Sequence, residues 1–251
     1  MQQTEFRGGS SSFSPNGKQV LIESTIENKN TIRLYDLSGR PLAEFQGNFL
    51  SFSPDSKQVL AKDGNTIQLY DLSGKQLAEF QGRSSSFSPN GKQALTEDGS
   101  TIRLYDLSGK QLAEFQGDLL SFSPDGKQVL AKDGNTIRLY DLSGKQLAEF
   151  QGRSSSFSPD GKQVLIDGDT VRLYDLSGKQ FAEFQGRSSS FSPDGKQVLI
   201  DGDTVRLYDL SGKQFAEFQG RSSSFSPDGK QVLTEDGRTI RLYNLLDVFK
   251  N

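Results

Sequence analysis

Two Asp-Gly-Asp triplets are the residues of this chain best suited to metal chemistry. They stand at Asp167–Asp169 and Asp201–Asp203, each between two short apolar runs. A calcium loop needs further oxygen ligands at fixed spacing, ending in a bidentate Glu, and neither triplet is followed by them. Asp-Gly between two strand-like runs is typical of a hairpin turn. We therefore interpret both triplets as turns and predict no metal site and no cofactor.

Serine-rich segments, such as Ser154–Ser156, recur along the chain and would offer nucleophiles if a base stood beside them. The chain has no His and no Cys. This composition removes imidazole bases, thiol nucleophiles, disulfides and the common nitrogen and sulfur metal ligands. Small side chains suit positions where repeated units converge on an axis. We interpret the serines as such packing positions and predict that the protein is not an enzyme.

The chain contains seven copies of a sequence unit, which is described below. Charged residues at two positions of this unit change together from copy to copy. Opposite charges on neighbouring strands attract, so the sign pattern predicts a side-chain contact between the two positions within each unit. The predicted partners are Arg83 with Glu97, Arg153 with Asp167, Arg187 with Asp201, Arg221 with Glu235, Lys62 with Asn48, and Lys132 with Asp118. The alternative is a partial basic ring formed by the four Arg residues, suited to anionic groups.

Larger apolar residues replace the serines in two copies, as Phe49-Leu50 and Leu119-Leu120. Two interpretations remain: these side chains fill the core, or they form an apolar patch that anchors a partner. With the charged positions they make up the predicted binding surface, which consists of Asn48, Phe49, Leu50, Lys62, Arg83, Glu97, Asp118, Leu119, Leu120, Lys132, Arg153, Asp167, Arg187, Asp201, Arg221 and Glu235.

The elements that position these residues belong to a unit that occurs seven times. Its landmark, Phe-Ser-Pro, begins at Phe13, Phe52, Phe87, Phe122, Phe157, Phe191 and Phe225. The segments Arg153–Gly186 and Arg187–Gly220 are identical letter for letter. A fixed period of this kind decides the architecture before any local preference does. The predicted units are residues 9–47, 48–82, 83–117, 118–152, 153–186, 187–220 and 221–251, within a single domain, 1–251.

Each unit predicts four short antiparallel strands. In the third unit these strands cover Ser84–Ser88, Lys92–Thr96, Thr101–Tyr105 and Gln111–Gln116, with turn residues between them. Four-stranded units of this length, arranged radially, form a β-propeller, so the predicted fold is all-β with seven blades. Residues 1–8 match the end of a unit, because Thr4-Glu5-Phe6 stands where other copies have Ala-Glu-Phe. We expect this N-terminal strand to complete the last blade and close the circle.

The motifs Phe-Ser-Pro-Asp-Gly-Lys and Thr-Ile-Arg-Leu-Tyr-Asp, with this period, resemble those of the WD-repeat propeller family over essentially the whole chain. The resemblance is strongest to highly repetitive bacterial members, and a consensus-like engineered propeller would read the same way. Two features depart from the family pattern: Trp-Asp is replaced by Tyr-Asp, as at Tyr35-Asp36, and the Gly-His pair is absent. The His–Trp hydrogen-bond network of the family is therefore impossible here, and aromatic packing must hold the blades.

The resemblance implies a binding scaffold or sensor-type propeller that meets a protein or peptide with its top face. The top face is the end of the blades where the varied connections lie. A net charge of −3 argues against a nucleic-acid partner. The sequence shows no signal peptide or membrane-length apolar run, so we expect a cytoplasmic monomer. Two alternatives remain: a chain amplified or designed without a selected ligand, and a glycan-binding propeller, which predicts an aromatic and polar pocket in each blade.

Overall fold

Residues 4–26 and 29–248 are described by the computed structural model, which is all-β apart from the four-residue helix α1 (Leu245–Val248). Within these described residues, the strands form seven antiparallel sheets, six of four strands and one of three. Each sheet corresponds to one predicted unit and is called blade 1 to blade 7 in chain order. The predicted fold class, a seven-bladed β-propeller, is confirmed at this level. No helix in the described ranges is long and apolar enough to span a membrane.

Contacts divide the chain into two compact units, of which the first contains residues 1–118 and 142–144. Blade 1 contains β1 (Ser10–Phe13), β2 (Gln19–Ile26), β3 (Lys29–Asp36) and β4 (Pro41–Gln46). Blade 2 contains β5 (Asn48–Phe52), β6 (Gln58–Asp63), β7 (Thr66–Asp71) and β8 (Gln76–Gln81). Blade 3 contains β9 (Ser84–Phe87), β10 (Gln93–Asp98), β11 (Thr101–Asp106) and β12 (Gln111–Gln116). The extra residues of the first copy lengthen β2 and β3, and residues 27–28 of that insert lie outside the described ranges.

The second unit contains residues 119–141 and 145–251. Blade 4 contains β13 (Asp118–Phe122), β14 (Gln128–Asp133), β15 (Thr136–Asp141) and β16 (Gln146–Gln151). Blade 5 contains β17 (Ser154–Phe157), β18 (Gln163–Asp167), β19 (Val171–Asp175) and β20 (Gln180–Phe184). Blade 6 contains β21 (Ser188–Phe191), β22 (Gln197–Asp201), β23 (Val205–Asp209) and β24 (Gln214–Phe218). Blade 7 contains β25 (Ser222–Phe225), β26 (Gln231–Asp236) and β27 (Thr239–Asn244).

Each Phe-Ser-Pro segment ends its strand in a turn that local hydrogen bonds close. In blade 5 the Ser158 hydroxyl donates to Asp160 Oδ1 at 2.7 Å, and the Gln163 N–H donates to that hydroxyl at 3.0 Å. Gly161 has φ +69°, a conformation that glycine adopts without the steric cost of a Cβ. The turn returns the chain antiparallel, which pairs Ser154 with Asp167 at the far end of the two strands.

The core lies between successive blades. It is formed by apolar residues that alternate along the second and third strands. In the first unit, Leu60 and Leu69 of blade 2 share a cluster with Ala94 and Tyr105 of blade 3. In the second unit, the equivalent residues of blades 5 and 6 form the same kind of cluster. Because a blade is one sheet thick, blades 2, 5 and 6 bury both faces against their neighbours. This arrangement explains why the strands are apolar on both sides near their centres.

A Phe–Tyr ring pair marks each of five such interfaces. The Phe comes from the outer strand of one blade and the Tyr from the third strand of the next, with ring centroids 4.8–5.2 Å apart and interplanar angles of 45–56°. Tilted contacts at this distance are favourable for aromatic rings. The pairs are Phe45–Tyr70, Phe80–Tyr105, Phe150–Tyr174, Phe184–Tyr208 and Phe218–Tyr243. The repeated aromatic core predicted from the sequence is therefore present at these interfaces, and the chain contains no Trp.

Blade 7 differs from the other blades, because its sheet ends at β27. The expected N-terminal strand is not assigned: Thr4–Arg7 carry no strand in the structure. Closure of the circle by this segment is not detected and stays a prediction. Helix α1 follows β27, and its Leu245 is buried in the cluster that joins blades 6 and 7.

Candidate functional site

The candidate site is the end of each blade at which the fourth strand of one unit passes into the first strand of the next. We call it the variable end, and it corresponds to the predicted top face. Backbone hydrogen bonds join its two varied positions: the N–H of Arg153 donates to the Asp167 carbonyl at 2.6 Å, and that of Arg187 donates to the Asp201 carbonyl at 2.8 Å. In blade 2, Asn48 and Lys62 are direct partners in the strand pairing. The predicted proximity of the two positions is confirmed in these blades.

The side-chain partners differ from those predicted. Arg153 forms its ion pair with Asp169. Arg221 Nε lies 3.5 Å from Asp236 Oδ1. In blade 3, Arg83 Nε lies 3.0 Å from Asp98 Oδ1. The predicted ion pairs Arg153–Asp167 and Arg221–Glu235 are therefore wrong, because each Arg just precedes its strand and its long side chain reaches an exposed acid of the next hairpin.

The inner carboxylates of blades 5 and 6 accept hydrogen bonds from serine instead. Asp167 accepts from Ser154 at 2.8 Å and also from Ser189 of the following blade. Asp201 accepts from Ser188 at 3.2 Å and from Ser223 of the following blade. Burial raises the pKa of both carboxyls, while the serine hydrogen bonds act in the opposite direction. Ser189 and Ser223 therefore connect neighbouring blades, a role that the sequence interpretation of the serines as simple packing positions missed.

A related connection joins blades 1 and 2. Glu23 accepts from the Ser10 hydroxyl and, through Oε1, from the Phe49 N–H at 2.7 Å. In blade 3, Glu97 accepts from the Ser84 hydroxyl at 3.0 Å. The signal that could have found these contacts was present: a serine lies opposite an acidic residue in every copy that has both.

The apolar residues of the variable end are half-buried. Phe49 packs on Phe52 with ring centroids 5.3 Å apart. Leu50 packs against the cluster of blades 2 and 3, and Leu120 against that of blades 4 and 5. These contacts favour the core-filling interpretation over an exposed apolar patch. The residues of the predicted surface that are exposed are instead Asn48, Arg83, Asp118, Arg153, Arg187, Arg221 and Glu235, while Leu119, Lys62 and Lys132 are half-buried.

The described residues contain no group of three or more acidic residues placed to hold a metal ion. Asp167 and Asp169 of the first triplet have different partners, since one accepts from serines and the other pairs with Arg153. In the second triplet, Asp201 likewise accepts hydrogen bonds from serines. Both triplets form the connection between the second and third strands of their blades, as the turn interpretation predicts.

The opposite end of each blade, which we call the constant end, is built from nearly constant turns, most of which carry an acidic residue. In blade 5, the pKa of Asp160 is lowered mainly by the hydrogen bond from the Ser158 hydroxyl, and the backbone N–H of Lys162 lowers it further. The same causes lower the pKa of the equivalent residues of blades 6 and 7, Asp194 and Asp228. Blades 1 and 3 carry Asn at this position, and Asn16 accepts from Ser14 at 2.8 Å and from the Lys18 N–H at 2.9 Å. The turn therefore forms with either a carboxylate or an amide.

This equivalence predicts a change in acid sensitivity. A carboxyl whose folded-state pKa is below its ordinary value of 3.8 contributes stability above that pH and loses it as the pH falls through the lower, folded-state pKa. Between about pH 4 and pH 2, the thermal unfolding midpoint of the triple variant D160N/D194N/D228N is expected to fall less than that of the unmodified protein. Midpoints measured across this range would contradict the assignment if the two curves ran parallel.

Comparison with known proteins gives the fold but no family. No protein-family profile matches the chain, and no curated protein matches it. One solved structure, described as the crystal structure of the eukaryotic initiation factor, matches with a TM-score of 0.70 at 16% identity, covering 95% of this chain and 74% of that chain. In total, 596 solved chains match, so the fold is too common to select a function. The comparison supports a repeat β-propeller.

Proposed function

We propose that the protein is a non-enzymatic scaffold that binds a protein or peptide through the variable ends of its blades. The observation that carries this proposal is the location of the sequence differences between blades. These differences concentrate at the variable end, at positions that include the exposed residues Arg153, Arg187 and Arg221. The constant end repeats one hydrogen-bonded turn in every blade. Variation at an exposed end beside a rigid, repeated scaffold is the pattern expected of a recognition surface.

The composition of this surface favours a polar partner of mixed charge. Arg83, Arg153 and Arg221 retain side-chain exposures of 65, 62 and 77% while paired with acidic residues. Exposed ion pairs contribute little to stability, so a partner can exchange them at low cost. The resemblance to WD-repeat propellers supports the same kind of function.

A chain without a selected ligand is the second candidate, and a specific observation favours it. Two neighbouring units are identical letter for letter, Arg153–Gly186 and Arg187–Gly220, which is typical of recent amplification or of design. A glycan-binding role has less support, because a Phe and a Tyr of the blades pack on each other at five interfaces.

A thermal-unfolding screen tests the proposal. The intact chain is heated with peptides of differing charge, protein fractions, glycans, phosphate and calcium in separate experiments. A ligand that binds only the folded protein stabilises it by about 2.7 kcal/mol at a hundredfold excess over its dissociation constant. We expect a raised midpoint with a peptide or protein. A shift with glycans alone would transfer support to the lectin alternative, and no shift in any class would support the chain without a ligand.

A further inference from the structure

A polar pocket lies at the variable end where blade 4 passes into blade 5. Its volume is about 220 Å³. Its lining belongs entirely to the second compact unit and includes Asn135, Gly152, Arg153, Gly168, Asp169 and Arg172. Pockets for drug-sized ligands measure about 300–1,000 Å³, so this pocket suits a single side chain of a partner.

Backbone hydrogen bonds fix the shape of the pocket. The Gly152 N–H donates to the Asn135 carbonyl at 2.8 Å, and the N–H of Arg153 donates to the Asp167 carbonyl at 2.6 Å. Gly152 and Gly168 are buried and lie close together, since a Cβ added to Gly168 would be 3.8 Å from Gly152 Cα. The ends of the two blades therefore preform the pocket, which lowers the cost of ordering it when a ligand binds.

Arg172 on β19 is the inner guanidinium of the pocket. Its Nε lies 2.9 Å from Glu183 Oε2 on the neighbouring strand, which is its one ion pair among the described residues. The equivalent Arg138 of blade 4 has two such pairs, because its Nη1 also lies 3.2 Å from Asp133 Oδ2. The hairpin of blade 5 is one residue shorter and has no counterpart of Asp133. Arg172 is therefore less fully neutralised than Arg138.

Arg153 is the outer guanidinium, and its present partner is easily exchanged. Arg153 pairs with Asp169, and the two side chains are 62 and 91% exposed. Exposed ion pairs of this kind contribute little to stability. A carboxylate supplied by a partner can therefore take the place of Asp169 at low cost. Two guanidinium groups against one carboxylate give the lining an excess of positive charge.

Asn135 distinguishes this pocket from the next boundary, between blades 5 and 6. Asn135 precedes a Thr in the hairpin of blade 4, and Asp169 stands at the same position in blade 5. The boundary between blades 5 and 6 therefore has two carboxylates, Asp169 and Asp203, at the positions that hold one carboxylate and one amide here. Its two Arg positions, Arg187 and Arg206, are unchanged. The excess of positive charge is thus a property of the first boundary and not of the second.

We propose that this pocket binds the carboxylate of an Asp or Glu side chain of the partner peptide. The inference rests on the proposed function and assigns one contact within it. Guanidinium groups bind carboxylates through paired N–H donors, which Arg153 and Arg172 bring to one pocket. A carboxylate also matches an excess of one positive charge, whereas a phosphate group brings about −1.5 to −2.

A titration of the intact chain with three short peptides tests the proposal. The probes are Gly-X-Gly tripeptides blocked at both ends, in which X is Glu, Gln or phosphoserine, so that the side chain of X carries the sole charge. The backbone NMR signals of Gly152 and Gly168 are expected to shift with the Glu peptide and to stay in place with the Gln peptide. Unchanged signals with the Glu peptide would overturn the site. A response to the phosphoserine peptide alone would overturn the carboxylate assignment.

Two matched pairs of variants locate the binding site. N135D adds the carboxylate of the next boundary and is expected to weaken binding of the Glu peptide about tenfold, because a like charge then faces the ligand. N65D makes the same change in blade 2 and should leave binding unaltered. G168A adds a methyl group whose nearest contact, the Thr170 carbonyl oxygen, is at 3.4 Å, so the fold tolerates it while the pocket becomes smaller. G202A is its control at the same position of blade 6. Equal effects within either pair would contradict the site.

Failure of the pocket and failure of the proposed function give different results. A peptide or protein from the thermal screen that binds N135D and G168A as tightly as it binds the unmodified chain would contradict the pocket and leave the proposed function standing. A screen without any such ligand would contradict the proposed function, and the tripeptide titration then decides the pocket independently. We expect both variants to weaken the ligand of the screen, and N65D and G202A to retain it.

Discussion

Leu207→Ala is expected to lower the free energy of unfolding by about 2–5 kcal/mol, the range for a fully buried leucine. Leu207 is 0% exposed and lies in the cluster of blades 6 and 7 with Leu199 and Val232. Removing its side chain takes away buried apolar area and leaves a cavity between two sheets that relax only in part. Chemical denaturation of the monomeric protein measures this loss.

Leu242 provides a matched control within the same chain. It occupies the repeat position of Leu207 one blade later, but it is 60% exposed. In dilute, monomeric protein Leu242→Ala is expected to cost less than about 1 kcal/mol, as surface substitutions do. Equal losses for the two variants would mean that Leu242 is buried in solution like Leu207, which contradicts its exposure in the structure.

Gly186→Ala is expected to destabilise the protein by roughly 2–3 kcal/mol. Gly186 lies where the chain passes from blade 5 to blade 6. A Cβ added there would lie 2.3 Å from Ile200 Cγ2 and 2.7 Å from the Asp201 carbonyl oxygen. One of these atoms belongs to the backbone, so the strand itself must move. The change should also disturb the serine contacts of Asp201 at the variable end.

Gly202 is the control for this substitution. The nearest atom to a Cβ at Gly202 would be the Thr204 carbonyl oxygen, at 3.6 Å, which is an ordinary contact. Gly202→Ala is therefore expected to change the free energy of unfolding by less than about 1 kcal/mol. Alanine also lowers the conformational entropy of the unfolded chain, which favours the folded state. If Gly186→Ala were tolerated as well as Gly202→Ala, the close approach between the blades would be wrong.

The sequence predicts the blades because their signals are local and repeated. Phe-Ser-Pro is followed by a turn that Asp160 and Gly161 close within a few residues, and Val171–Asp175 alternates as a strand should. Seven copies of the same signals leave little ambiguity about element type. The aromatic core follows for the same reason, since each Phe and Tyr keeps its position in the unit.

The contacts of the variable end were predicted only in part. Covariation correctly brought Arg153 near Asp167, because their backbones are adjacent in the strand pairing. It could not show that Arg153 forms its ion pair with Asp169. Nor could it show that Asp167 accepts hydrogen bonds from two serines, one of which belongs to the next blade. Side-chain direction at a strand end depends on the neighbouring blade, and covariation within one blade carries no information about it.

The proposed function depends on the claim that the variable ends, and not the constant ends, meet the partner. Two triple variants with the same change in charge separate these surfaces: R153N/R187N/R221N at the variable ends, and K162N/K196N/K230N at the constant ends of the same blades. The Asn of the first variant is the residue that blade 2 carries as Asn48. The deciding measurement is the rise in thermal midpoint that a bound peptide or protein causes in each variant. We predict that the first variant loses the rise and the second retains it. A rise retained by the first variant and lost by the second would contradict the account.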